Sequence, residues 1–114
     1  MITLWHNPRC SKSRQALALL EEAGVEVAVR RYLEDVPSVD EITATRAALG
    51  TPPVIEMMRT GEKVFKELGL TRATPEAKLI AAMAAHPILI ERPVAISGTR
   101  AVIGRPPEMV RDLL

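Results

Sequence analysis

The 114-residue sequence contains a single cysteine, Cys10. A chain with one thiol cannot close an internal disulfide, and it cannot build a thiolate metal cluster. Any redox chemistry at Cys10 must therefore borrow its second thiol from another molecule. Aromatic residues make up 3% of the chain, too few for the stacking platforms that hold single-stranded nucleic acid. The formal net charge is only +1, so no global field draws the chain toward nucleic acid or a membrane surface. No apolar run approaches the ~20 residues of a spanning helix. The N-terminal Met-Ile-Thr-Leu-Trp lacks the basic and long apolar regions of a secretory signal, so a cytoplasmic protein is expected. There is no internal repeat, low-complexity segment or linker. Apolar residues are 47% of the composition, enough for residues 1–114 to share one core as a single domain.

Local patterns give an element order. Ile2 to Trp5 reads as a short strand with Ile2 and Leu4 on one face, and His6-Asn7-Pro8-Arg9 as a loop. A helix follows from about Ser11 to Ala23, with Ala16, Leu17, Leu20 and Ala23 at helical spacing and Gly24 placed to cap it. Val25, Val27 and Val29 alternate with other residues, which predicts a second strand ending near Tyr32. A strand, a helix and a strand with short joints make a parallel βαβ unit. Ser38 and Glu41 form a capping box for a helix that Gly50 closes. Short helices are expected over 54–58 and 62–68. Thr74-Pro75 reads as the N-cap and first residue of another helix with Leu79, Ile80 and Met83 inward, and His86-Pro87 ends it. Val94 to Ser97 and Arg100 to Ile103 form a hairpin about Gly98-Thr99, and a terminal helix starts at Pro106-Pro107 with Met109, Val110, Leu113 and Leu114. The expected fold is α/β: a four-stranded mixed sheet flanked by helices, with a helical insert between the second and third strands.

Cys10 falls between a strand-end loop and a helix start. A lone cysteine is often just a small buried hydrophobe, but here the position and neighbours favour a thiolate. Unpaired N–H groups and the positive end of the helix dipole stabilise negative charge. Arg9 and Arg14 stand close in sequence, and His6 adds a third cation when protonated. The same features make an anion site: the amides of Ser11, Lys12 and Ser13 would point at a bound oxyanion, and the Ser11 and Ser13 hydroxyls are further donors. Ser11 is equally suited to capping the helix. Two familiar cysteine signatures are absent. Cys10-Ser11-Lys12-Ser13 lacks the second cysteine of C-x-x-C, and a C-x5-R loop would need arginine where Ala16 stands. A monothiol mechanism with an outside reductant remains.

The string His6-Asn7-Pro8-Arg9-Cys10 with Ser13-Arg14 resembles the H-N-P-x-C-x-x-S-R motif of the glutaredoxin-coupled arsenate reductases, and HNPRCSKSR as a whole is similar to a short-chain subgroup of that family. The resemblance continues through Tyr32-Leu33-Glu34, Met58-Arg59, Lys66-Glu67-Leu68-Gly69-Leu70, His86-Pro87-Ile88-Leu89-Ile90, Glu91-Arg92-Pro93 and Gly104-Arg105-Pro106. One departure is Arg9, where established reductases commonly carry a small residue.

The resemblance implies a thioredoxin-like fold and the reduction of arsenate to arsenite. The cysteine thiolate attacks arsenate, glutathione as co-substrate attacks the adduct, and glutaredoxin resolves the mixed disulfide, with no tightly bound cofactor and no metal. It also implies that Arg59, Arg92 and Arg105 hold the oxyanion, which suits guanidinium forks facing a multiply charged tetrahedral anion. Pro93 matches the cis-proline that the fold sets beside its cysteine, and would aim Arg92. His6 would support the thiolate by charge or hydrogen bonding, or simply tie the loop. Two other functions fit the C-x-x-S motif less fully: glutathione-linked redox work on another substrate, and binding to RNA polymerase as a regulator of the Spx type.

Overall fold

The computed structural model describes residues 1–114. Its four strands are β1 (Ile2–Trp5), β2 (Val27–Arg30), β3 (Val94–Ser97) and β4 (Arg100–Ile103). They form one sheet in the order β2-β1-β3-β4. The β1–β2 pair is parallel, as a βαβ unit requires, and β3 runs antiparallel to both β1 and β4. The helices are α1 (Ser11–Glu22), α2 (Val39–Ala48), α3 (Lys63–Glu67) and α4 (Glu76–Ala85), with 3-10 segments at Val54–Met57, Pro87–Leu89 and Pro107–Leu113. This is the expected mixed sheet with a helical insert after β2, in the thioredoxin-like arrangement. No helix is long and apolar enough to cross a membrane.

The period-2 alternation of the strands divides the apolar residues between two faces. Ile2, Leu4 and Ala95 pack with Ala16 and Leu20 of α1 and with Val110 and Leu113. Trp5 and Val94 point the other way, into a cluster that includes Tyr32, Ile42, Val54, Met57, Leu79 and Met83 from the insert. Charged ties hold the insert together. The Arg46 guanidinium of α2 reaches the Pro52 carbonyl at 2.7 Å and the Glu76 carboxylate of α4 at 3.1 Å, and Glu76 also accepts from the Val54 amide at 3.0 Å.

Three local expectations are corrected. β2 ends at Arg30 rather than near Tyr32, because the chain turns there and Tyr32 is drawn down into the core at 1% exposure. Val29 is exposed, as an edge strand allows. Pro75, not Thr74, is the N-cap of α4, since the Thr74 hydroxyl is taken by the Thr71 amide at 2.9 Å. The terminal segment is a 3-10 helix that buries Val110 and Leu113 but leaves Met109 and Leu114 exposed. The tighter three-residue turn accounts for this, because it brings positions 110 and 113 onto one face.

The capping box at Ser38 forms as read, with the hydroxyl accepting from the Glu41 amide and the Glu41 carboxylate accepting from the Ser38 amide, both at 3.1 Å. That carboxylate also pairs with Arg30 of β2, so one side chain both starts α2 and fastens it to the sheet. The Arg30 hydrogen bond, followed by the Ser38 amide, holds the Glu41 carboxyl down at about 2, from 4.5. A folded value below the unfolded one gives stability that is complete above the unfolded pKa and lost as pH falls toward the folded one. Because the side chain is half exposed, screening limits the gain to about 1 kcal/mol. Glu41→Gln should therefore lower stability by about 1 kcal/mol near pH 7 in urea melts, and the difference from the parent should shrink as pH falls below about 4.5.

Candidate functional site

Sheet direction gathers the candidate residues. Trp5 pairs with Val94, and Val94 with Ile103, so the exit of β1, the entry of β3 and the exit of β4 lie side by side. Those three ends carry His6–Cys10, Glu91–Pro93 and Gly104–Arg105. A fourth segment is stitched beside them. Met58 bridges Ile90, the Arg59 amide donates to the Leu89 carbonyl at 2.8 Å, and the Glu91 amide donates to Met57 at 2.8 Å. Arg59 is thereby fixed next to Glu91.

Cys10 itself is the N-cap of α1, in extended backbone (φ −94°, ψ 121°), and is partly exposed. The first bond of the helix runs from the Arg14 amide to the Cys10 carbonyl at 3.0 Å, so the amides of Ser11, Lys12 and Ser13 precede the helical ladder and stay free. The reading of Ser11 as the cap is thus replaced: Ser11 is the first helical residue and exposed. Ser13 is fully buried, and its hydroxyl is used within the loop, at 2.7 Å from His6 Nδ1 and accepting from the Asn7 amide at 3.1 Å. Its hydroxyl is therefore withdrawn from any oxyanion, and only its amide remains a donor there. His6 is also buried, and its pKa is lowered by that burial and then by the charges of Arg31 and Arg14. The ring is neutral at neutral pH and supplies no third cation. Arg14 donates to the Pro8 carbonyl at 2.9 Å and braces the loop.

The three arginines hold different positions. Arg105 Nη2 lies 3.7 Å from Cys10 Sγ, while its Nε donates to the Arg92 carbonyl at 2.8 Å and meets Glu91 Oε1 at 3.0 Å. Arg59 pairs with Glu62 at 3.0 Å and stands 4.0 Å from the same Glu91 oxygen. Arg92 Nε is buried without any hydrogen-bond partner. Such an orphan donor costs free energy unless a ligand or water satisfies it. Arg59 and Arg92 line a 420 Å³ cavity together with His6, Asn7, Tyr32 and Glu62, whereas Cys10 and Arg105 are not among its wall residues. The Arg92-Pro93 peptide is cis, as is Arg105-Pro106, and Pro93 is buried.

Four contributors went unassigned in the sequence. Glu91 and Glu62 are the carboxylates that the arginines meet. Each stands within a few residues of a candidate arginine, which was a visible signal, but nothing local said that the charges would touch. Tyr32 projects a phenol between the opposing fields of Arg59 on one hand and of Cys10 and Glu91 on the other, and burial drives its pKa far up, so it stays protonated. Gly104 lets β4 leave against Pro93: a Cβ there would come within 2.7 Å of the proline ring and 3.2 Å of Val110, and the Gly104 amide bonds the Pro93 carbonyl at 2.8 Å. Together these groups give a cysteine sulfur at a helix start, with free amides and a guanidinium nearby. Such a set is suited to nucleophilic attack on an oxyanion.

Known proteins are similar to this chain over nearly its whole length. The ArsC family model matches residues 5–113. An arsenate reductase from Haemophilus influenzae is 43% identical over 114 residues, covering 99% of this chain and 98% of its own. A Streptomyces viridochromogenes protein described only as uncharacterized, in the glnII region, is 48% identical over 97% of each chain. The solved structure of an arsenate reductase from Vibrio cholerae superposes with a TM-score of 0.95 at 46% identity, covering 99% of this chain and 97% of that one. With the cysteine loop, the three arginine segments and strands β2 to β4 all inside the matched region, the chain belongs to the ArsC family.

Proposed function

We propose that this chain reduces arsenate to arsenite, with Cys10 as the sole protein nucleophile and with glutathione and glutaredoxin supplying the electrons. The observation that carries the reading is the 3.7 Å approach of Arg105 to Cys10 Sγ at the N-cap of α1. The thiolate attacks arsenic, an S–As bond forms, and one oxygen leaves as water with protons from solvent. Arsenic is still pentavalent at that point. The glutathione thiolate then attacks Cys10 sulfur. An S–S bond forms, the S–As bond breaks, and its electron pair stays on arsenic, which departs as trivalent arsenite. A glutaredoxin thiolate takes the glutathione from the mixed disulfide and restores the Cys10 thiolate.

Each residue has a definite part in this scheme. Arg105 and Arg92 offset the repulsion between thiolate and oxyanion, and the free amides of α1 add donors that need no rearrangement. Arg59 reaches the anion from the cavity wall. His6 is a neutral strut: with Ser13 it fixes the loop that presents the sulfur. The homologous arsenate reductases support the substrate, and the single cysteine supports an external thiol, since no resolving residue exists within the chain.

In a glutaredoxin-coupled assay that follows arsenate-dependent NADPH oxidation, Cys10→Ser should abolish turnover. Arg92→Ala and Arg105→Ala should each lower kcat/KM by about 100-fold or more, the scale seen when one transition-state donor is removed. Full turnover by Cys10→Ser would refute the reading. A second outcome concerns the strut. The lowered His6 pKa means that stability tied to its neutral ring is complete above about pH 6.5 and declines as pH falls below that value toward the folded one. Urea midpoints should fall with acidification in this window for the parent chain and stay flatter for His6→Asn. Ser13→Ala, which strands a buried ring nitrogen, should cost about 1–3 kcal/mol near neutral pH.

A further inference from the structure

Two of the three guanidiniums of the site, those of Arg59 and Arg105, are paired with carboxylates. Glu91 Oε1 forms an ion pair with Arg105 Nε at 3.0 Å, accepts from the Arg92 amide at 3.2 Å, and lies 4.0 Å from Arg59 Nε. Glu62 takes Arg59 Nη1 at 3.0 Å. Both carboxylates are about three-quarters buried, at 23% and 24% side-chain exposure, so water screens them only partly. With Cys10 as thiolate, three cations already face three anions before a ligand arrives. The other charges on the cavity wall, Arg9, Arg31 and Glu34, are exposed and more fully screened, and His6 is neutral.

We propose that Glu91 and Glu62 are built-in counter-ions that set the charge of the accepted oxyanion, so that the site takes singly charged tetrahedral oxyanions in preference to doubly charged ones. This deepens the proposed reading of the site as an oxyanion site and rests on it. An arginine-only pocket grips a dianion more strongly than a monoanion, because the Coulomb energy scales with ligand charge. Two fixed carboxylates, with the thiolate, cancel that bias, since their repulsion scales the same way, and the greater cost of desolvating a second ligand charge then favours the monoanion. Arg92 Nε, a buried side-chain donor without a partner, is left for the ligand. The geometry also separates the two effects of Glu91. A glutamine keeps an acceptor oxygen for the Arg92 amide, and Arg105 Nε keeps its hydrogen bond to the Arg92 carbonyl, so Glu91→Gln removes charge while the arginine stays in place.

Sulfate and methanesulfonate give the test, because both are tetrahedral, hold their charge across neutral pH and differ by one negative charge. Their affinities are read from protection of Cys10 against iodoacetamide, with anion-dependent melting shifts as a second readout. The parent chain should bind methanesulfonate at least as tightly as sulfate. Glu91→Gln should tighten sulfate by about tenfold and methanesulfonate by about threefold, the logarithms following the ligand charges. Glu62→Gln, whose carboxylate meets only Arg59, should move both in the same direction by less. A parent that prefers sulfate, equal changes for the two ions in both variants, or no binding of either ion by any variant overturns the inference. The coupled arsenate assay is scored separately. Charge discrimination without arsenate turnover refutes the reductase reading alone, and turnover without discrimination refutes the counter-ion role alone.

Discussion

Guanidinium groups repel one another, and an end of a small protein that collects three of them needs something to hold them together. Here that is the Glu91 carboxylate, one oxygen of which meets Arg105, the Arg92 backbone and, more distantly, Arg59. Much of the surrounding structure serves that convergence. The antiparallel pairing of β3 with β1 and β4 brings Arg92 and Arg105 to the exit of β1. The bridge between Met58 and Ile90 carries Arg59 in from the insert. Gly104, with no side chain to collide with Pro93, allows the last approach. An ion pair with this much burial contributes little net stability, because desolvation offsets most of the attraction. Its importance is geometric: it decides where positive charge points.

The loop from His6 to Arg14 shows the same economy of partners. Ser13 receives the Asn7 amide and shares a hydrogen bond with the His6 ring, while Arg14 reaches back to the Pro8 carbonyl. The side chains of His6, Asn7, Ser13 and Arg14 are thus engaged within the loop. The sulfur is left at the N-cap position, where a side chain commonly accepts from the helix amides. Cys10 makes no such capping bond, so those donors stay available to whatever occupies the space in front of the thiol.

Much of this was legible in the sequence, for reasons that differ by residue. The capping box at Ser38, the Gly24 cap and the hairpin about Gly98-Thr99 depend on interactions within a few residues, and they formed where local chemistry put them. Strand β2 and the terminal helix depend on tertiary packing, which shortened the first and tightened the second to 3-10 geometry. At the site, the position of Cys10 at a helix start followed from local pattern, and the choice of Arg59, Arg92 and Arg105 followed from the resemblance. The fate of the Ser13 hydroxyl did not, because burial against His6 is a property of the folded loop. The compensating role of Glu91 and Glu62 was hidden for a related cause. Ion pairs between segments require knowing which ends of which strands meet.

The site is assembled from segments far apart in sequence, since Cys10 and Arg105 are 95 residues apart. At ordinary rates of translation that separation corresponds to on the order of 5–20 s between the emergence of one residue and the other. The thiol therefore leaves the ribosome well before the guanidinium that faces it in the finished protein. During that interval β1 has α1 and β2 for company but lacks β3 and β4, so the nascent chain presents a cysteine without its arginines. The constellation that tunes this sulfur comes into being only when the final hairpin adds to the sheet.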